Sequence, residues 1–186
     1  ATFPHQFENI VLSTSKVKRF ILDRLIAYAR EDGYRAAIVE AVVDNDAFDP
    51  RAWGALPASF AAAKAYSNMP EAESLNAANK RVANILRKAE DAGEAIAVSN
   101  APQEAAEQAL RQALDAVSPH AGALYAKGDF TGYLKSFAAL KAPVDEFFDK
   151  VMVMAEDKAV RANRLGLLRD LRDAMNKVAD LSKLAT

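Results

Sequence analysis

Lys80, Arg81, Asn84, Arg87 and Lys88 have the types and spacing of a polyanion contact. At about 100° per residue they fall on one arc of a helix, about a third of its circumference wide. Leu75, Ala78, Val82, Ile85, Leu86 and Ala89 take the opposite side, and between Leu75 and Ala89 there are four basic residues and no acidic one. Lysine and arginine neutralise phosphates, and the counterion release that follows makes such binding salt-dependent. Asn84 adds an amide that both donates and accepts, which suits a base edge. The same pattern describes an ordinary solvated helix face whose cations complement the dipole near the C-terminus. On this stretch alone both readings stand.

Two further basic groups flank it in sequence. Near the N-terminus Lys16, Lys18, Arg19 and Arg24 stand against Asp23 alone. Lys18 and Arg19 are candidate phosphate contacts; Arg24 is expected to meet a carboxylate or helix-end carbonyls. Toward the C-terminus Arg161 has Asp157 four residues before it, a spacing that allows an ion pair on a helix. Arg164 falls inside an apolar stripe of Val160, Leu167, Leu171, Ala174, Met175 and Val178. A buried guanidinium is costly unless paired and hydrogen-bonded. Arg164 therefore either locks a carboxylate within the fold or reaches an RNA groove. Asn163 lies on the other side of the stripe, where it could touch the preceding helix. Of the aromatics, Phe147 and Phe148 are adjacent, so one is expected to point inward and the other to pack on a neighbouring helix; Met152 and Met154 read as core filler.

The chemistry that is missing narrows the function. No glycine-rich phosphate loop, Gly-x-Ser-x-Gly or other catalytic string is present, and no self-contained active site is expected. The chain has no cysteine, so neither disulfides nor thiolate metal sites are available, and His5 and His120 lie far apart. No apolar run approaches the ~20 residues that span a bilayer, and a soluble cytoplasmic protein is the plain reading. With 24 Lys and Arg against 25 Asp and Glu the net charge is −1, so a nucleic-acid surface would depend on how charge is distributed rather than on its total.

The elements that position these residues read as helices throughout. Alanine is abundant, β-branched residues are few, and no strand-like alternation persists. Residues 1–15 form an arm or junction. A first helix is expected from about Lys16 to Glu31, ended by Gly33, and a second from Tyr34 to about Asp44. Asp49-Pro50 reads as the start of a third, pausing at Gly54 to Pro57 and stopping before Pro70. The basic stretch sits on a helix from about Glu71 to Asp91, ended by Gly93, with a linker and possible sub-boundary near 93–101. Pro102 should open the next helix and Ser118-Pro119 should kink or restart it before Gly128. Asp129 should cap a short helix to Leu140, Pro143 should start another, and Asp157 should cap a final helix to about Leu184. The expectation is an all-α bundle of about eight helices, with residues 16–186 as its body.

The segment from Pro143 through Met154 and on from Asp157 to Leu165 closely resembles the C-terminal end of the β subunit of the bacterial two-subunit glycyl-tRNA synthetases. Asp157-x-Ala159-Val160-Arg161 is similar to the Asp-Ala-Leu-Arg signature of anticodon-binding domains. The Lys80-Arg81-Val82-x-Asn84-Ile85-Leu86 string and Phe20 to Leu25 resemble the same family. The match is best over Phe20 to Leu25, Pro70 to Lys88 and Lys141 to Leu184, and general between Gly93 and Leu140. Val160 stands for the signature's leucine, Lys158 is inserted, and Gly166 sits where a helix favours alanine.

The resemblance implies an anticodon-binding domain cut from a larger β subunit. It would be non-catalytic itself, and would position tRNA(Gly) for ATP-dependent aminoacylation by the full α/β enzyme. The implied tRNA contacts are Lys80, Arg81, Asn84, Arg87, Lys88, Arg161, Lys18 and Arg19; Arg24, Asn163 and Arg164 would be structural or tRNA-binding. It implies no metal or other cofactor in this domain, ATP and Mg belonging to the full enzyme. The partners implied are tRNA(Gly) and the α subunit, with no membrane and no DNA. The alternative is a helical protein-interaction module that docks a partner subunit or domain.

Overall fold

The computed structural model describes residues 17, 20–45, 53–98 and 101–185 of the 186-residue chain. Among these residues every regular element is helical and no strand forms. Helix α1 covers residues 20–31. It is followed by α2 (Ala36–Val43), a 3-10 turn at Trp53–Ala55, α3 (Leu56–Ser67) and α4 (Ala72–Asp91). The second half contains α5 (Ala105–Ala126), α6 (Phe130–Ser136) running into a 3-10 turn at Phe137–Leu140, α7 (Lys141–Lys150), α8 (Lys158–Met175) and a last 3-10 turn at Leu181–Leu184. The expected arm 1–15, Lys16, Lys18, Arg19 and the Asp49-Pro50 start lie outside the described residues.

Helix α8 is the central strut. Residues 162–168 are buried in unbroken succession, so this helix is covered on all sides. Helices α4 and α5 flank it, and α7 bridges the two. Helix α4 runs antiparallel to α8: Asn79 meets Asn176 at one end, while Glu94 meets Arg161 at the other. Helix α5 runs parallel to it, since Glu107 meets Arg164 and Arg111 meets Asp170. Leu165, Leu168 and Leu171 of α8 share the core with Leu75, Val82 and Leu86 of α4, Leu110 and Leu114 of α5, and Val144 and Phe147 of α7. Full burial of each such side chain is worth roughly 1.5–3 kcal/mol.

Three expectations are corrected. Helix α5 begins at Ala105 rather than at Pro102, because Glu107 in its first turn reaches back to accept the Gln103 N–H (3.0 Å), in the manner of a capping box. The same helix runs unbroken through Pro119. Residues 115, 116, 118, 119 and 120 are exposed, so a carbonyl left without its helical partner can be met by water, and Ser118 Oγ donates to the Leu114 carbonyl at 2.6 Å. Finally, α8 stops at Met175, not near Leu184. Asn176 Oδ1 accepts from Leu181 N–H (3.0 Å), and Asp180 N–H donates to the Ala41 carbonyl (2.7 Å). These bonds turn the tail back over α2 and α4, burying Val178, Ala179, Leu181 and Leu184.

Candidate nucleic-acid interface

Helix α4 ends at Gly93, whose φ of +68° only glycine adopts without strain. Its inner face is tied down by polar bonds as well as by leucines. Asn79 and Asn176 exchange two amide bonds of 2.9 and 3.1 Å, Asn76 Nδ2 donates to the Leu184 carbonyl at 3.4 Å, and Ser74 Oγ donates to Asp145 at 2.9 Å. With that side fixed, rotation about the helix axis is fixed too. Lys80, Arg81, Asn84, Arg87 and Lys88 therefore all point to solvent.

Their electrostatic environment is open. Among the described residues Lys80, Arg81 and Lys88 meet no carboxylate. Arg87 lies 3.5 Å from Asp91, with the two side chains 64% and 69% exposed; a pair so hydrated contributes little and yields easily to a stronger anion. The Arg81 guanidinium carbon sits 4.3 Å from the centre of the Phe148 ring on α7. Beside this face a groove of about 360 Å³ separates α4 from the end of α8, and its lining is of mixed charge, with Arg87 and Arg172 against Glu90, Asp173 and Asp180.

The basic residues of α8 are disposed differently. Asp157 caps the helix, accepting from Ala159 N–H (2.7 Å) and Val160 N–H (3.0 Å). Bonds from the backbone of Val160 and Ala159 hold its carboxyl below the usual carboxylate range. Because Asp157 serves as the cap, Arg161 turns to Glu94 (Nε to Oε2, 3.0 Å) and donates to the Ala155 carbonyl at 2.7 Å. This replaces the i,i+4 pair expected from spacing. Arg164 is 5% exposed. Its Nε donates to Glu107, its Nη2 to Glu104 and its Nη1 to the Met152 carbonyl at 2.7 Å. Arg161 and Arg164 thus hold carbonyls of residues 151–157, the loop that leads into α8. Met152 and Met154 of that loop are exposed, not core filler.

Asn163 is buried, and its Oδ1 accepts the Ala101 N–H at 3.3 Å. This bond ties it to the segment entering α5. Arg24 is exposed and lies 5.9 Å from the Phe20 ring centre, with no carboxylate contact among the described residues. The structure therefore gathers Lys80, Arg81, Asn84, Arg87 and Lys88 on one surface and places Arg161, Asn163 and Arg164 in the interior scaffold beside them. The carboxylates Glu94, Glu104 and Glu107 were missed by sequence reasoning. Arg164 on an apolar stripe demanded such a partner, but nothing local marked Glu107 as 1% exposed.

These helices make an all-α binding domain: one basic helix face is turned outward, and the arginines beneath it are neutralised by internal carboxylates. The chain belongs to the DALR anticodon-binding domain family, whose sequence model matches residues 75–185, from α4 to the last 3-10 turn. Its relatives include the glycine–tRNA ligase beta subunit of Methylobacillus flagellatus, 49% identical over 185 residues covering 100% of this chain and 26% of that protein. That of Dechloromonas aromatica is 53% identical over 166 residues, 89% of this chain and 23% of the relative. The chain spans about a quarter of the length of these relatives. Among the described residues no helix is long and apolar enough to cross a membrane, and no group of three or more His, Cys, Asp or Glu could hold a metal ion.

Proposed function

We propose that this chain is the anticodon-binding domain of a glycine–tRNA ligase beta subunit, non-catalytic itself, which positions tRNA(Gly) for ATP-dependent aminoacylation by the full α/β enzyme in the cytoplasm. The observation that carries the proposal is the α4 face: Lys80, Arg81, Arg87 and Lys88 exposed together, three of them free of carboxylates among the described residues, within the region that matches the family. Phosphates of the anticodon stem would meet these cations, and Asn84 would face a base edge. Lys18 and Arg19 are proposed as further tRNA contacts on their residue types. Arg161, Asn163 and Arg164 are assigned to holding the scaffold, since their polar groups already have partners. The reading requires neither metal nor cofactor in this domain, and no DNA or membrane partner.

Titration of the chain with tRNA(Gly) at low and at physiological salt tests this. The four phosphate contacts on α4 contribute roughly −3 to −4 to the slope of log K on log salt, and contacts by Lys18 and Arg19 would steepen it. A salt-independent affinity, or none, would contradict it.

A second reading, docking onto the remainder of the parent polypeptide or its partner subunit, is favoured by α1. Leu25, Ile26 and Ala29 of this helix pack on the core, yet Phe20, Ile21 and Tyr28 remain 64%, 43% and 67% exposed. A helix apolar on two faces is suited to being covered on both. If α1 docks in this way, Phe20→Ser with Tyr28→Ser should weaken assembly with the rest of the enzyme and leave tRNA affinity of the chain unchanged.

A further inference from the structure

We propose that Arg81 and Phe148 form a stacking platform for one unpaired base of the RNA held on α4; this rests on the reading of α4 as an RNA-binding face. Within residues 75–185 the other arginines, Arg87, Arg111, Arg161, Arg164, Arg169 and Arg172, each have a carboxylate within 3.5 Å. Among the described residues Arg81 has none. Its guanidinium instead lies over the Phe148 ring, 4.3 Å from the centroid, while the residue as a whole stays exposed.

The ring beneath it is fixed. Phe148 is half-buried against the core and meets the fully buried Phe147 edge-on, with centroids 5.4 Å apart and planes at 77°. The α4–α7 seam that carries the pair is pinned one helix turn away by Asp145, which accepts from Ser74 Oγ at 2.9 Å and from Lys141 Nζ at 2.6 Å. An exposed planar cation held over a fixed ring offers its solvent side and its N–H groups to a ligand. Unstacked bases are recognised on such aromatic and guanidinium planes. Every base has a π-face, so the platform adds affinity without choosing among bases. Asn84, one turn along the same helix, can supply the choice.

The competing role is a cation–π contact that only stabilises the seam. The two differ in what RNA reports. An RNA hairpin carrying a fluorescent aminopurine at each unpaired loop position in turn is titrated with the 186-residue chain and its variants, each checked for wild-type helical signal and denaturation midpoint. Quenching is expected at one loop position with the unsubstituted chain. Arg81→Lys keeps the charge but not the plane, and Phe148→Leu keeps apolar volume but not the ring. Each should abolish that quench and weaken binding about tenfold with the salt slope unchanged. Lys80→Gln should lower the slope by about one unit and keep the quench. If Arg81→Lys binds and quenches like the unsubstituted chain, the platform is overturned while RNA binding by α4 survives. If the chain binds no hairpin at any salt, the α4 reading falls and the platform with it.

Discussion

Helices α4 and α8 lie side by side and each carries four basic residues in its body, apart from Lys158 at the start of α8, but the two sets have opposite fates. In α8, Arg161, Arg164, Arg169 and Arg172 reach Glu94, Glu104 with Glu107, Asp170 and Asp173 respectively. In α4, Lys80, Arg81 and Lys88 reach no carboxylate among the described residues, and Arg87 has only an exposed partner. The difference follows from position. Arg161 and Arg164 lie on the enclosed half of α8 and must be neutralised within the fold. Arg169 and Arg172 are part-exposed and pair with the adjacent Asp170 and Asp173. The α4 cations face solvent, where water solvates them. On the reading proposed above, a basic residue's availability to a ligand is set by its depth as well as by its motif, and the signature arginine Arg161 is already engaged by Glu94 and the Ala155 carbonyl.

The sharpest break of this comparison would come at Arg164. Replacing it with alanine leaves Glu107 buried without its partner, and we expect a loss of roughly 3–5 kcal/mol in unfolding free energy, measured in urea. Arg161→Ala should cost less, about 1–3 kcal/mol, because Glu94 can rehydrate where Glu107 cannot. Either variant, where folded, should bind tRNA with an unchanged salt slope; a flattened slope would mean that α8 contacts phosphate after all.

A smaller effect concerns acid. The carboxyls of Asp157 and Asp145 are depressed below their ordinary value of 3.8, the first by backbone N–H bonds and the second chiefly by its hydrogen bond from Lys141. A folded pKa below the unfolded one contributes stability that is full above the unfolded value and is lost as pH falls through the folded value. Asp157→Asn, which retains a capping oxygen, should therefore change stability little near neutrality and flatten its fall below about pH 4. Urea midpoints measured across that range check it. Smallest of all, Lys80→Gln or Lys88→Gln should move the unfolding midpoint hardly at all while lowering the salt slope of tRNA binding by about one unit each.

What was legible in the sequence was local. Gly93 and the Asp129 and Asp157 caps act over a few residues, and the ends they set agree with the structure. The periodicity of Lys80 to Lys88 placed those residues on one face for the same reason. What was not legible depends on partners far along the chain. The end of α8 is made by Asn176, which bonds Asn79 across 97 residues. That Arg164 must find a carboxylate followed from its stripe, but Glu107 lies 57 residues away in a stretch that reads as an ordinary helix start. Proximity misled for Arg161, because Asp157 was already engaged by the helix N-terminus. Pro119 misled too, since a proline on a solvent-facing turn leaves its orphan carbonyl to water.

The central claim is that α4 offers its charge outward while α8 keeps its own. The most direct test replaces Lys80, Arg81, Arg87 and Lys88 together by glutamine and follows tRNA(Gly) affinity against salt concentration, with unfolding in urea alongside. The account predicts an unfolding midpoint close to that of the unsubstituted chain, and a salt slope reduced by roughly three to four units. Retention of the original slope in the folded variant would contradict it, and would place the RNA on another face of the bundle.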